Sequence, residues 1–195
     1  MAKRVGVALP HYRRIGPGAT ESGHDRFAVA DAALLAQKAR DAATSPRLRE
    51  MHRFHDSDGD NPHRMVNTLQ PGSYVRPHRH LSPAKSESFV LLTGSLGHVV
   101  FADNGSFGAG DCVVLSRESG VLAIDVRPGV WHAVFALVPD TTVFEVKPGP
   151  YQPLDDKDFA AFAPAEGDDA ASAYLQALEE RFRELTGLPP RGSRV

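Results

Sequence analysis

"RPHRHLSPAKSESFVLLTG", residues 76–94, decides how the chain is read. His78 and His80 stand one residue apart, and in an extended strand residues two apart project to one face. Leu81–Lys85 reads as a turn, and Glu87 opens the strand that returns from it. Neighbouring strands lie about 5 Å apart, so the Glu87 carboxylate can approach both imidazoles. Tyr74 and Arg76 share the parity of His78 and are expected to line the same cavity. Far along the chain, "RPGVWH" (127–132) offers His132 just after a turn, a further ligand from another strand. Imidazole nitrogen and carboxylate oxygen together are ligands for a divalent metal, whether Zn²⁺, Fe²⁺, Ni²⁺, Mn²⁺ or Co²⁺.

Outward from this stretch, short apolar runs alternate with turn signals. Strands are predicted near 64–70, 73–80, 86–93, 97–103, 111–115, 120–126, 131–138 and 141–147. Pro71-Gly72, Thr93-Gly94, Gly110-Asp111, Pro128-Gly129 and Pro139-Asp140 separate them. Asp103-Asn104-Gly105 between two apolar runs is a hairpin signal, because Asn and Gly tolerate positive φ. Short strands with a turn about every ten residues predict a sandwich or barrel.

The flanks read differently. Residues 1–26 mix Gly, Pro and basic residues without periodicity and are expected to form an irregular arm. "FAVADAALLAQKARDAA" (27–43) predicts a helix that Asp31 can cap, with Leu34, Leu35 and Ala39 on one face. Ser45-Pro46 breaks it, and "PRLREMHRF" suggests a further short helical turn. Near the end, Ala171, Tyr174, Leu175, Leu178, Phe182 and Leu185 have helical spacing, with Asp168 and Asp169 before them and Gly187 after. That helix is expected to pack internally or against a second copy, which makes a homodimer one expectation. The division is a lead-in (27–55), a barrel (64–150), a C-terminal loop and helix (151–187) and a tail (188–195), with 27–187 as a single domain.

Composition sets bounds on function. The 195 residues are 42% hydrophobic and 24% charged, enough for one core. A net charge of -2 gives no reason to expect nucleic acid or an anionic membrane as partner. The single cysteine, Cys112, permits no internal disulfide and suits a reducing compartment. No apolar run reaches the roughly 18 residues of a membrane span. The basic N-terminus lacks an apolar piece long enough for a signal peptide, so a cytoplasmic location is expected.

The interval Gly72-x5-His78-x-His80 followed by Glu87-x6-Gly94 resembles the first motif of the cupin superfamily, and Pro128, Gly129 and His132 resemble the second. The turn between His80 and Glu87 is longer than cupins usually carry, and Ala136 stands where an asparagine is common. "RMVNTLQPGSYVRPHRH", "ESFVLLTG", "FEVKPGPY" and "DKDFAAFAPAEG" extend the likeness, over roughly residues 27–180, to the WbuC family of cupin-fold metalloproteins. That resemblance implies a mainly β jelly-roll barrel with an N-terminal helical segment and a C-terminal packing helix. It also implies a divalent metal held by His78, His80, Glu87 and His132, and a link to surface-polysaccharide biosynthesis.

An open metal position beside Arg76 and Tyr74 favours an oxygen-rich anionic small molecule. The leading expectation is a metal-dependent enzyme that moves a proton on a sugar or sugar-derived acid, by isomerisation or epimerisation. An Fe²⁺ oxygenase with the same ligands and a non-catalytic sugar sensor stand beside it, and no catalytic residue is assigned. Glu145 and Lys147 read as a solvated strand face. "HRFH" (52–55) with His63 reads as a loop leading into the barrel. "DSDGDN" (56–61) does not fit a calcium loop, since its glycine is misplaced and Asn67 stands where the closing glutamate belongs.

Overall fold

The computed structural model describes residues 12–23, 26–152 and 157–192. Among the described residues, twelve strands form two sheets. The first has seven: β1 (Tyr12–Gly16), β2 (Ala19–Ser22), β3 (Arg49–Arg53), β4 (His63–Leu69), β6 (Glu87–Thr93), β9 (Ala123–Val126) and β11 (Thr141–Lys147). Their order is β1-β2-β3-β4-β11-β6-β9. The second has five: β5 (His78–Arg79), β7 (Leu96–Phe101), β8 (Cys112–Leu115), β10 (Trp131–Ala136) and β12 (Asp158–Phe159), ordered β12-β5-β10-β7-β8. All pairings are antiparallel except β2 with β3. The sheets face each other as a jelly-roll barrel, the fold class expected from the sequence.

The alternation of side chains along β10 shows how the core divides. Val134 packs inward with Phe89, Leu96, Leu115, Val126 and Val143, between the sheets. Ala133 and Phe135 point the other way, into a cluster with Leu175, Leu178 and Phe182 of helix α2 (Ala171–Thr186). Helix α1 (Ala32–Thr44) covers the outside of the first sheet, placing Leu34 against Phe54 and Val66. Both β layers are therefore buried on both faces where the helices lie. Asp31 caps α1 by accepting from the Leu34 amide at 2.9 Å, and Gly187 ends α2 in the left-handed conformation.

Two glycines are required by geometry. Gly94 turns the chain from β6 into β7 with φ +80°, and a Cβ there would lie 2.5 Å from Thr141 Oγ1. Gly97 has ordinary φ, but a Cβ would meet the Phe135 ring at 2.5 Å across the β7–β10 ladder.

Several expectations are corrected. The arm is not irregular where it is described: β1 and β2 form a hairpin at the edge of the first sheet. Polar pairs hold it, with Glu21 accepting from Arg13 and from Arg53, and His52 buried between the Thr20 and Ser22 hydroxyls at 2.8 and 2.7 Å. Residues 1–11 lie outside the described residues. "PRLREMHRF" holds a strand, β3, whose alternate burial is carried by Glu50 and His52 instead of apolar residues. The strand expected over 73–80 shrinks to His78–Arg79. Its upstream carbonyls are used elsewhere: Tyr74 accepts from Arg49 Nη1 at 2.9 Å, and Pro77 from the Ala160 amide at 2.9 Å. On α1, Leu34 shares the buried face with Lys38 and Ala42, while Leu35 and Ala39 lie at its margin. Lys38 is neutralised by Asp41 at 2.8 Å.

Phe182 is fully buried against Phe135, ring centroids 5.1 Å apart, and anchors α2 to the barrel. Phe182→Ala is expected to cost about 3–5 kcal/mol by urea denaturation. A loss below about 1 kcal/mol would show that α2 is not part of the barrel's core.

Candidate metal centre

Three strands from both sheets build the cluster. β5 carries His78, with His80 just beyond it. β6 opens with Glu87, and β10 carries His132, whose Cα pairs with that of His78. All four side chains are buried. One ligand atom from each lies within 4.8 Å of all the others, the one such group among the described residues.

The protonation pattern follows from the hydrogen bonds. His78 Nδ1 lies 3.0 Å from the Arg76 carbonyl, and His132 Nδ1 lies 2.9 Å from the Val130 carbonyl. A carbonyl only accepts, so each Nδ1 carries the proton and donates it. In the neutral rings Nε2 then presents a lone pair to the interior. Glu87 Oε2 faces these atoms at 3.0 Å from His132, 3.4 Å from His80 and 3.8 Å from His78. Lone pairs facing lone pairs in a buried site call for a cation between them. Ligand atoms about 2.0–2.2 Å from one ion stand roughly 3–3.5 Å apart, a range that holds the His132 and His80 separations, with His78 slightly beyond it. The residues present therefore fit a divalent metal.

Electrostatics agree with this arrangement. Burial, reinforced by the charge of Lys157, lowers His78 to a pKa of about 3. Burial alone would raise Glu87, but the three imidazoles around it, together with Lys147, hold it well below the ordinary carboxylate range. The two Glu87 oxygens have separate surroundings, since Oε1 faces Lys147 Nζ at 3.9 Å while Oε2 faces the histidines.

Three further buried residues belong to this interior. Glu145 and Lys147 are not on a solvated face: both are buried, 3.6 Å apart, and Asn67 donates to Glu145 Oε2. Burial, with the nearby Glu87 charge, raises Glu145 to about 8. His98 was not singled out in the sequence, although its parity with the inward Leu96 marks it. Its ring stacks on His132 at 5.8 Å and 8°. Neither His98 nitrogen has a hydrogen-bond partner among the described residues, and burial lowers it to about 3.

The other candidates lie elsewhere. Tyr74 does not join the cluster: its hydroxyl donates to the Pro164 carbonyl at 2.8 Å and its ring packs with the α2 cluster. Period two fails there because residues 73–77 are not a paired strand. Arg76 donates to the Ala160 carbonyl at 2.8 Å and lies 5.4 Å from the Phe159 ring, on the segment that adds β12 beside β5. His55 and His63 stack on each other at 4.1 Å and bond to backbone carbonyls, but the stretch is not the expected loop, since His52 and Arg53 end β3 and His63 opens β4.

A family model described as a domain of unknown function, DUF6016, matches residues 30–110, a span that holds His78, His80 and Glu87 but not His132. No curated protein matches the chain. Similar solved structures include KdgF from Halomonas sp., 15% identical with a TM-score of 0.40, covering 54% of this chain and 81% of that one. An RmlC-like cupin protein from Desulfovibrio desulfuricans is 20% identical with a TM-score of 0.38, covering 51% and 81%. The L-ribose isomerase of Cellulomonas parahominis is 14% identical with a TM-score of 0.44, covering 65% and 71%. At these TM-scores the likeness carries nothing about activity, and the jelly-roll assignment stands on this chain's own sheets.

The shifted groups set the pH dependence of the metal-free protein. His78 and His98 near 3 and His52 near 4 stay neutral when folded but protonate near 6.5 when unfolded. Below about pH 6.5 the unfolded chain therefore binds more protons and stability falls. Glu145, near 8 when folded, acts in the opposite sense and removes stability as pH rises from its unfolded value of about 4.3 toward 8. Stability is expected to peak near pH 6.5, with the alkaline limb absent in Glu145→Gln. Urea midpoints at pH 5, 6.5 and 8 measure this, and a steady rise to pH 8 would contradict a buried, protonated Glu145.

Proposed function

We propose that the chain is a metal-dependent enzyme of the cupin type that moves a proton on a small sugar or sugar-derived acid. The observation that carries this reading is the convergence of three imidazoles and one carboxylate in a buried barrel interior, with two of the imidazoles turning a lone pair inward. His78, His80, His132 and Glu87 would hold the ion. When bound, such an ion polarises a substrate carbonyl or acidifies a hydroxyl.

The protein's own groups support proton transfer. The Arg76 and Val130 carbonyls fix two imidazoles in the metal-binding tautomer. Glu145, held by Asn67, puts a second carboxylate beside Glu87, and Lys147 puts a cation between them. The same proposal extends to a role in surface-polysaccharide biosynthesis, which the sequence resemblance to the WbuC family supports.

Two measurements test it. Metal analysis of untagged protein should find a divalent ion that His78→Ala/His80→Ala loses, while the double variant stays folded because the apolar clusters and not the ion supply most of the stability. Glu87→Gln should weaken metal binding less than His80→Ala does. Metal-loaded protein incubated with aldoses, ketoses and uronates in D₂O should place deuterium beside the carbonyl of its substrate. Retained metal in the double variant would end the assignment of the ligands. Bound metal with no exchange on any of these would end the proton-transfer reading.

A further inference from the structure

Helix α2 uses its apolar face internally, with Leu175, Leu178 and Phe182 buried against the barrel. The surface left open to a partner lies at the end of the barrel away from the histidines. There a groove of about 640 Å³ opens between the β6–β7 turn, the 116–122 loop and the segment after α2. Leu91, Leu122, Val138 and Leu188 stand in its walls. Strand β6 runs from Glu87 at the cluster to Thr93 in the groove wall, so roughly 20 Å of strand separates the two.

Apolar exposure gathers here. Of the nine large apolar side chains exposed among the described residues, Val90, Val121, Leu122 and Val138 belong to this one surface. Leu122 and Val138 line the groove, Val121 precedes Leu122, and Val90 is the Cα partner of Ala123 just beyond it. Helix α1 packs over β3, β4 and β11, short of Val90. β9 closes the order of its sheet and presents an edge that no other described strand pairs with.

The charges on the rim say what fits. Arg117 and Glu118 are adjacent, exposed and in the groove wall, and neither makes an ion pair among the described residues. Arg183, the other charge in the wall, is already held by Glu179 at 2.8 Å and the Leu137 carbonyl at 3.2 Å. A partner of a single charge sign is attracted by one rim residue and repelled by the other. A partner carrying the same pair in reverse order is attracted by both, and a two-fold axis supplies that order. The apolar part is self-complementary in the same sense, because Leu122 is both an exposed side chain and a wall of the groove.

We propose that the chain forms a two-fold dimer through this surface, with Leu122 of each copy seated in the groove of the other and each Arg117 against the partner's Glu118. The interface lies at the far end of the barrel from the metal centre, so the dimer does not depend on a bound ion.

Sedimentation velocity on the full chain between about 1 and 100 μM tests this, a range in which an ordinary specific dimer is populated. The wild type is expected at twice the chain mass of 21.1 kDa. Leu122→Glu should return it to the mass of one chain, with thermal melting as the check on folding, and Val138→Asp replaces it if it melts as unfolded protein. Arg117→Glu and Glu118→Arg should each raise the dimer dissociation constant about tenfold or more, since two like-charge contacts replace two opposite ones. Mixing the two single variants, or joining both substitutions in one chain, should restore the dimer, because opposite charges again meet across the axis. Rescue by mixing is expected of no partner except a second copy. The proposal is overturned by a wild type that stays a single chain at about 100 μM, whatever peptide its groove then binds. A dimer that survives the apolar substitution, single charge reversals without effect, or no rescue on mixing would overturn it as well.

Discussion

The Glu87 carboxylate, buried among three imidazoles, is the constraint on which the site depends. An ionised carboxylate out of water costs several kcal/mol unless its lone pairs are met. Oε1 faces the Lys147 ammonium, while Oε2 faces three imidazoles whose inward lone pairs would share a bound cation with it. The partners come from both sheets, Lys147 from β11 of the first and the histidines from β5, β10 and the chain beyond β5. Satisfying one carboxylate thus fixes how the sheets face each other at this end of the barrel.

A polar centre of this size is tolerated because stability is generated elsewhere. The apolar cluster between the sheets occupies the part of the barrel that Val134 and Val143 line, farther along β10 and β11 from His132 and Lys147. Two more clusters lie outside the sheets, under α1 and α2. The C-terminal segment is bound to the first sheet as well, since Glu166 accepts from Arg47 and Arg49 at 2.6–2.8 Å. With apolar burial spread over three places, the interior near the histidines is released from packing duty and can hold charge.

This division also explains what could be read from the sequence. His78, His80, Glu87 and His132 were legible because each sits at a strand end next to a turn, where local spacing alone sets direction. Strands β6 to β11 were legible within a few residues for a similar reason, since turn residues bound them. The structure departs where period two has no apolar signal. β3 alternates Glu50 and His52 against Arg49, Met51 and Arg53, so charge masks its buried face. In β11 both faces are covered, with Phe144 under α1 and Val143 in the barrel, so alternation cannot tell which way Glu145 and Lys147 point. Tyr74 fails for the opposite reason: the parity was clear, but the ladder needed to enforce it is missing.

The long turn between His80 and Glu87 shows how an insertion can leave a ligand in place. Extra residues would displace Glu87 only if they changed the register of β6 or slackened the approach to it. Neither happens. β6 pairs Glu87 with Val126 on one side and Ser88 with Val146 on the other, so its register is set by neighbours and not by the turn. The turn itself is closed by the Lys85 amide donating to the His80 carbonyl at 3.4 Å, with a bridge between Leu81 and Ala84 inside it. The same His80 carbonyl accepts from the Gly129 amide at 2.9 Å, which ties the turn to the one preceding His132. Lys85 is buried and its Nζ donates to the Pro150 carbonyl at 2.5 Å, binding the far side of the turn to the segment after Lys147. Each anchor lies next to a residue of the cluster, so the added length bulges outward between fixed points and the carboxylate stays among the imidazoles.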